Sequence, residues 1–193
     1  MLRDQVYRLI DGEREYQQSK WSGHRHGAGA YLSFLDHYLR TAIDIDAKED
    51  ADGEKHYQGA KGAIRKFAAL CVAAMEENGV VYRTYEGLWR GLWNWVMRRG
   101  SDLIFRAGPV SRAQVYLALD QEREYQELTW PGPGALEFSE ELTIMRDYLR
   151  MADDAWTSSH GDEEGLDFLR ILAAIAVRSL ETYGAPARFK AAA

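Results

Sequence analysis

Cysteine is almost missing from this chain. Cys71 stands alone, so no disulfide can form within it, which suits a reducing compartment. Its setting, Phe67-Ala68-Ala69-Leu70-Cys71-Val72-Ala73-Ala74-Met75, is that of a small core residue. A basic excess is missing too. With 24 Lys and Arg against 30 Asp and Glu, the formal charge of −6 argues against a general nucleic-acid surface, which needs a basic stripe. A few local arginines can still hold a small anion. No apolar run approaches a membrane span and no signal-peptide pattern opens the chain, so the expectation is a cytoplasmic protein that does not engage the membrane. Familiar catalytic apparatus is absent as well: no Ser-His-Asp arrangement, no phosphate-cradling Gly-rich loop after a strand, no zinc-type cysteine spacing. His37, His56 and His160 are scattered. His24 and His26 have a metal-type spacing, but no metal site is read from them, because the matching loop carries Gly132-Pro133-Gly134.

What the chain does have is a repeat. Val6, Tyr7, Asp11, Glu13, Arg14, Glu15, Tyr16, Gln17 and Trp21 return in order as Val115, Tyr116, Asp120, Glu122, Arg123, Glu124, Tyr125, Gln126 and Trp130. Tyr38-Leu39-Arg40-x-Ala42-x-Asp44 returns as Tyr148-Leu149-Arg150-x-Ala152-x-Asp154. Arg65, Ala68, Ala69, Val72, Glu76, Gly79 and Arg83 return as Arg170, Ala173, Ala174, Val177, Glu181, Gly184 and Arg188. Recurring apolar positions report only a shared core. Recurring charges ask for more, since charged side chains are rarely buried without a partner. The long period marks a duplicated domain rather than a solenoid.

Each half reads as three helices, and no stretch shows convincing strand alternation; the expected fold class is all-α. In the first half, helices are expected over Asp4 to Lys20, over Ala30 to Asp46 with the stripe Leu32, Leu35, Leu39, Ala42 and Ile43, and through Ala60 to Met75 up to Gly79. In the second, they are expected from Ser111 to Leu128 with Ser111 as N-cap, from Ser139 onward, and from Asp162 to Tyr183 before Gly184. The division is 1–83, an insert 84–110, and 111–190. The insert has no counterpart. Tyr85, Leu88, Trp89, Leu92, Trp93, Trp95 and Val96 crowd an expected helix from Glu86 to Arg99, which packs across the halves or on a second subunit.

Two readings of the repeated polar residues stand side by side. Glu13 and Gln17 share a helix face and, with Arg14, can form a network to the other helices of their own half. Alternatively, tryptophan supplies a stacking surface and arginine a planar donor for phosphate or a base edge. Arg40 with Asp44, and Arg150 with Asp154, are expected as solvated i,i+4 pairs. Arg65 and Arg170 sit at the edge of the buried stripe, where an arginine either snorkels or faces a cavity.

The sequence Glu-Arg-x-x-Gln-x-x-x-Trp, followed by a Tyr-Leu-x-x-Ala helix and an alanine-rich helix ending in Glu, resembles the degenerate, often phage-borne relatives of the MazG-like all-α nucleoside triphosphate pyrophosphohydrolases. The resemblance covers Val6 to Arg83 and Val115 to Arg188. It implies two tandem three-helix MazG-like repeats packed as an internal pseudo-dimer, joined by the Trp-rich insert, with homo-oligomerisation expected. Active relatives hold Mg²⁺ against a triphosphate with paired helix-borne acids, since a hard cation needs several converging carboxylate oxygens. Here the matching regions give Asp36 and Arg40, or Arg146, Asp147 and Arg150, and then Ala63, Arg65 and Lys66, or Asp167 and Arg170. Cations stand near where acids would be.

That exchange removes a metal and supplies a metal-free grip on phosphate oxygens. The leading expectation is a catalytically degenerate protein, without cofactor, that binds or sequesters a small anionic nucleotide. In a phage setting this ligand would be a nucleotide signal of host defence, soaked up as by a sponge. Arg14, Arg40 and Arg65, with Lys66 beside them, and Arg123, Arg150 and Arg170 would hold phosphate; Trp21 and Trp130, or Tyr16 and Tyr125, would stack on bases, beside Gln17 and Gln126. One rival is a working Mg²⁺-dependent pyrophosphohydrolase built on Glu13, Asp36, Asp44, Glu122, Asp147 and Asp154. The other is a protein-interaction module acting through the Trp-rich insert.

Overall fold

The computed structural model describes residues 1–21, 26–48, 54–83, 103–129, 136–158 and 162–188. Six helices are described: α1 (Arg3–Lys20), α2 (Ala28–Asp46), α3 (Glu54–Asn78), α4 (Arg112–Thr129), α5 (Phe138–Thr157) and α6 (Asp162–Tyr183). Their starts follow local chemistry. Ser111 caps α4 as expected: its Oγ accepts from the Gln114 N–H (3.4 Å), while Gln114 Oε1 accepts from the Ser111 N–H (2.9 Å). At α1 the corresponding Gln5 Oε1 accepts from the Leu2 N–H (3.0 Å). On α5, Glu140 and Glu141 fill the first turn, where the helix dipole favours acids. Gly184, at φ 73°, takes the left-handed turn that ends α6.

The alanine-rich α3 and α6 pack on each other at the centre. Ala68, Ala69, Ala73 and Ala74 on one, and Ala173, Ala174 and Ala176 on the other, are buried, and small side chains allow close approach of the helices. Helices α1 and α2 lie on α3, α4 and α5 lie on α6, and α2 also meets α5. The expected stripe of α2 is inside, with Leu32, Leu35, Leu39 and Ala42 buried and Ile43 partly so. Cys71 is buried, and burial pushes its thiol well up. Among the described residues, no helix is long and apolar enough to cross a membrane.

Two short strands are present where the sequence shows no convincing alternation. Strand β1 (Gly79–Arg83) pairs antiparallel with β2 (Leu103–Ala107), Val81 opposite Phe105. Thus the described end of the insert, which carries no expected element, is a strand; the expected helix from Glu86 to Arg99 lies outside the described residues. Val80, Val81, Tyr82, Ile104 and Phe105 have the β-branched and aromatic shapes that fit a ladder. Gly79 makes the change from α3 possible. Its φ of 120° is open to glycine, and a Cβ there would lie 2.3 Å from the Arg106 carbonyl oxygen.

Candidate functional site

Helix α1 buries three polar side chains in a row: Glu13, Arg14 and Gln17. Glu13 and Arg14 are answered by residues far off in sequence, and Gln17 by Arg14 itself. Glu13 Oε2 accepts from Arg65 Nη2 of α3 (3.2 Å), and Arg188 Nη1 donates to both Glu13 oxygens (2.8 Å each). Arg65 Nη1 also donates to the Pro186 carbonyl. Arg14 donates through Nε and Nη2 to Glu76 Oε2 (3.0 and 2.7 Å) and through Nη1 to Gln17 Oε1 (2.8 Å). From α4, Arg112 reaches Glu76 Oε1 (2.8 Å) and Asp11 Oδ1 (3.1 Å).

Helix α4 carries the same arrangement. Glu122 takes Arg170 Nη2 of α6 (3.2 Å) and Arg83 Nε. Arg123 donates to Glu181 Oε2 (3.3 and 3.0 Å) and to Gln126 Oε1 (3.0 Å). Arg3 of α1 reaches Glu181 Oε1 (2.9 Å) and Glu127 Oε1 (2.6 Å). Each cluster therefore borrows cations from the other half. Arg188 follows α6 yet serves Glu13 on α1, whereas Arg83 ends β1 and serves Glu122 on α4. Between α1 and α4, Tyr7 and Tyr116 stack at 4.2 Å, 10° from parallel. Tyr7 donates to Asp120 Oδ1 (2.8 Å) and Tyr116 to Asp11 Oδ1 (2.7 Å). Burial first, then the hydrogen bond to a carboxylate, pushes both phenols far up.

The rims of the clusters are aromatic. The Arg188 guanidinium lies 3.1 Å over the Tyr16 ring centre and that of Arg83 lies 3.6 Å over Tyr125, geometries for cation–π attraction. Tyr16 and Tyr125 are still 39% and 40% exposed. Tyr38 stands near Glu13, Tyr16 and Arg188, and Tyr148 near Glu122, Arg83 and Tyr125; burial raises both phenols, with the neighbouring glutamate adding to it. The Lys66 ammonium lies 5.4 Å from the Tyr38 ring centre.

The structure gives the expected phosphate-binding arginines partners of their own. Arg14, Arg65, Arg123 and Arg170 are buried and engaged by carboxylates. Burial lowers the Arg65 and Arg170 guanidinium pKa values, and the adjoining glutamates oppose it. Gln17 and Gln126 brace Arg14 and Arg123. The within-half network expected from Glu13, Arg14 and Gln17 is present, and it extends across to the other half. Arg40 pairs with Asp36 (2.8 Å), not Asp44. The acid then lies N-terminal to the base, the better order on a helix. Arg150 is exposed. Trp21 stacks on Phe34 at 5.8 Å in a nest with His26 and Tyr31, while Trp130 and His24 lie outside the described residues.

The acids of the hydrolase alternative do not converge. Glu13 and Glu122 are bound by guanidinium groups, Asp36 is tied to Arg40, and Asp44, Asp147 and Asp154 are exposed. Among the described residues, no group of three or more His, Cys, Asp or Glu is placed to hold a metal ion. Arg83, Arg188, Arg3, Arg112, Glu76 and Glu181 belong to these clusters and are not among the expected site residues. For Arg83, Arg188, Glu76 and Glu181, recurrence in both halves was the available signal. No family model matches the chain, and no curated protein or solved structure matches it significantly.

Proposed function

We propose that this chain is an internally duplicated, catalytically degenerate relative of the MazG-like pyrophosphohydrolases that binds a nucleotide without hydrolysing it. In this reading the two halves form an internal dimer, held by the exchanged arginines and the Tyr7–Tyr116 stack. Hydrolysis of the family's kind needs carboxylates free to converge on Mg²⁺. Here the buried glutamates at the heart of each half are spent on guanidinium groups.

The observation that carries the reading is the half-exposed tyrosine beside an arginine at each rim: Tyr16 with Arg188, and Tyr125 with Arg83. A ring offers a face to a base while the neighbouring cation offers donors to phosphate. Arg14 and Arg123 become braces, and the phosphate-facing role passes to Arg188 and Arg83 at the rim, with Arg65 and Arg170 behind. A soluble nucleotide signal sequestered during host defence is the ligand class this reading favours.

The test is direct. The purified chain is incubated with mono- and triphosphates, alarmones and cyclic oligonucleotides, with and without Mg²⁺, and then ultrafiltered. Intact nucleotide retained by the protein and released by heat is the expected result. Free pyrophosphate and a monophosphate product appearing with Mg²⁺ would overturn it.

A further inference from the structure

The two clusters share a framework but not a charge. In the second, two carboxylates, Glu122 and Asp167, face two cations, Arg170 and Arg83. Asp167 Oδ1 accepts from Arg170 Nη2, one turn along α6. In the register that aligns Arg65 with Arg170, the residue matching Asp167 is Gly62, and the residue matching Ile171 is Lys66. Among the described residues, the first cluster therefore sets one carboxylate, Glu13, against Arg65 and Arg188, and the Lys66 ammonium adds a third cation at its rim, beside Tyr38. Gly62 and Lys66 are one turn apart on α3 and so share its face. Among the described residues, Lys66 has no carboxylate within ion-pair distance. Glu163, whose charge acts on Asp167, is matched in the first half by Gln58. Three substitutions thus move the first cluster in the same direction.

An excess of positive charge beside a buried guanidinium is costly unless an anion answers it. Arg65 is 6% exposed, and among the described residues its Nε, like that of Arg170, has no acceptor, so the difference between the clusters lies in their charge. The surplus over the second cluster is two charges, which matches a phosphate monoester near neutral pH better than a carboxylate. Room is available at the glycine: a Cβ on Gly62 would meet only Pro186 Cγ, at an ordinary 3.7 Å. Donors of three kinds surround the place: the Lys66 ammonium, the Arg188 guanidinium and the Tyr38 hydroxyl.

We propose that the first cluster, and not the second, takes the dianionic phosphate of a nucleotide, one per chain, with Tyr16 beside it for the base. This rests on the nucleotide-binding reading above and sets its stoichiometry. Asp167 fills from within the chain the role that ligand phosphate plays in the first half.

The test is calorimetric titration of the full chain with AMP, inorganic pyrophosphate and adenosine. AMP and pyrophosphate are expected to bind once per chain, with adenosine about tenfold weaker or more. Gly62→Asp supplies the missing carboxylate and is expected to weaken pyrophosphate about tenfold or more; Lys66→Ile, at a half-buried position, gives the same direction independently. The double variant Asp167→Gly with Ile171→Lys rebuilds the first cluster in the second half and is expected to raise the stoichiometry to two. Pyrophosphate binding unchanged by both Gly62→Asp and Lys66→Ile, no binding of either phosphate probe by the wild-type chain, or two sites in the wild-type chain would each overturn the inference. If pyrophosphate binds as described but no nucleotide does, the nucleotide reading falls while the phosphate site stands. If nucleotide binds indifferently to Gly62→Asp and Lys66→Ile, the reading stands and this site falls.

Discussion

Glu122→Gln isolates what a buried carboxylate does here. Glu122 is 1% exposed and answers two guanidinium groups, one of them Arg170, which is fully buried and whose Nε already lacks an acceptor. Removing one partner of a buried pair costs about 3–5 kcal/mol, because the remaining charge cannot return to water. Asp167 still holds Arg170, and Arg83, with 21% of its side chain exposed, can turn outward, so the lower end applies: about 3 kcal/mol. For a chain of this length that is a fall in melting temperature of about 6–12 °C. Glu13→Gln should cost more, about 4 kcal/mol, because Glu13 is the one carboxylate paired with Arg65 among the described residues. Urea unfolding with a shared m-value is the assay. The double replacement Glu122→Leu with Arg170→Met should recover most of the loss, since an apolar pair needs no desolvated charge. A cost for Glu122→Gln below about 1 kcal/mol, the range of exposed pairs, would show instead that water reaches the cluster.

Further outcomes follow from other positions. Tyr7→Phe and Tyr116→Phe remove matching hydrogen bonds, so each should cost about 1 kcal/mol and the two should agree within a few tenths; a large disparity in urea midpoints would speak against the paired arrangement. Gly79→Ala places a methyl against the Arg106 carbonyl at a positive φ and should cost about 2 kcal/mol or more, read by thermal melting. Burial raises the Glu141 carboxyl above the 4.5 of a free glutamate, so the folded state holds that proton more tightly than the unfolded chain does. Its ionisation therefore subtracts stability as pH rises from the unfolded value through the folded one, and the advantage of Glu141→Gln over wild type should grow across that window. A stability difference that is flat with pH would contradict it.

Much of the fold was legible because helices announce themselves locally. Ser111 before α4, Gly79 after α3 and the stripe of α2 are signals carried within a few residues, and all three are found in place. The β ladder was hidden because five residues after a long helix are too few for alternation to register, and its partner strand lies beyond the insert. The site was half legible. Recurrence identified Glu13, Arg14, Gln17 and Arg65 as a set, and charge burial explains why they recur. What spacing could not reveal is who answers them. Arg188 meets Glu13 across nearly the whole chain, and Arg112 meets Glu76 across the halves. The same blindness made the arginines look available for a ligand. On α2, local geometry left two choices for Arg40, and Asp36 rather than Asp44 took it.

Two double-mutant cycles test whether the halves exchange arginines: Glu13→Gln with Arg188→Met, and Glu122→Gln with Arg83→Met. Both pairs join residues of opposite halves, through Arg188 on Glu13 and Arg83 on Glu122. A coupling of about 1–2 kcal/mol is expected in each cycle, similar in the two. Additive losses, within about 0.3 kcal/mol in both cycles, would show that these arginines do not join the halves.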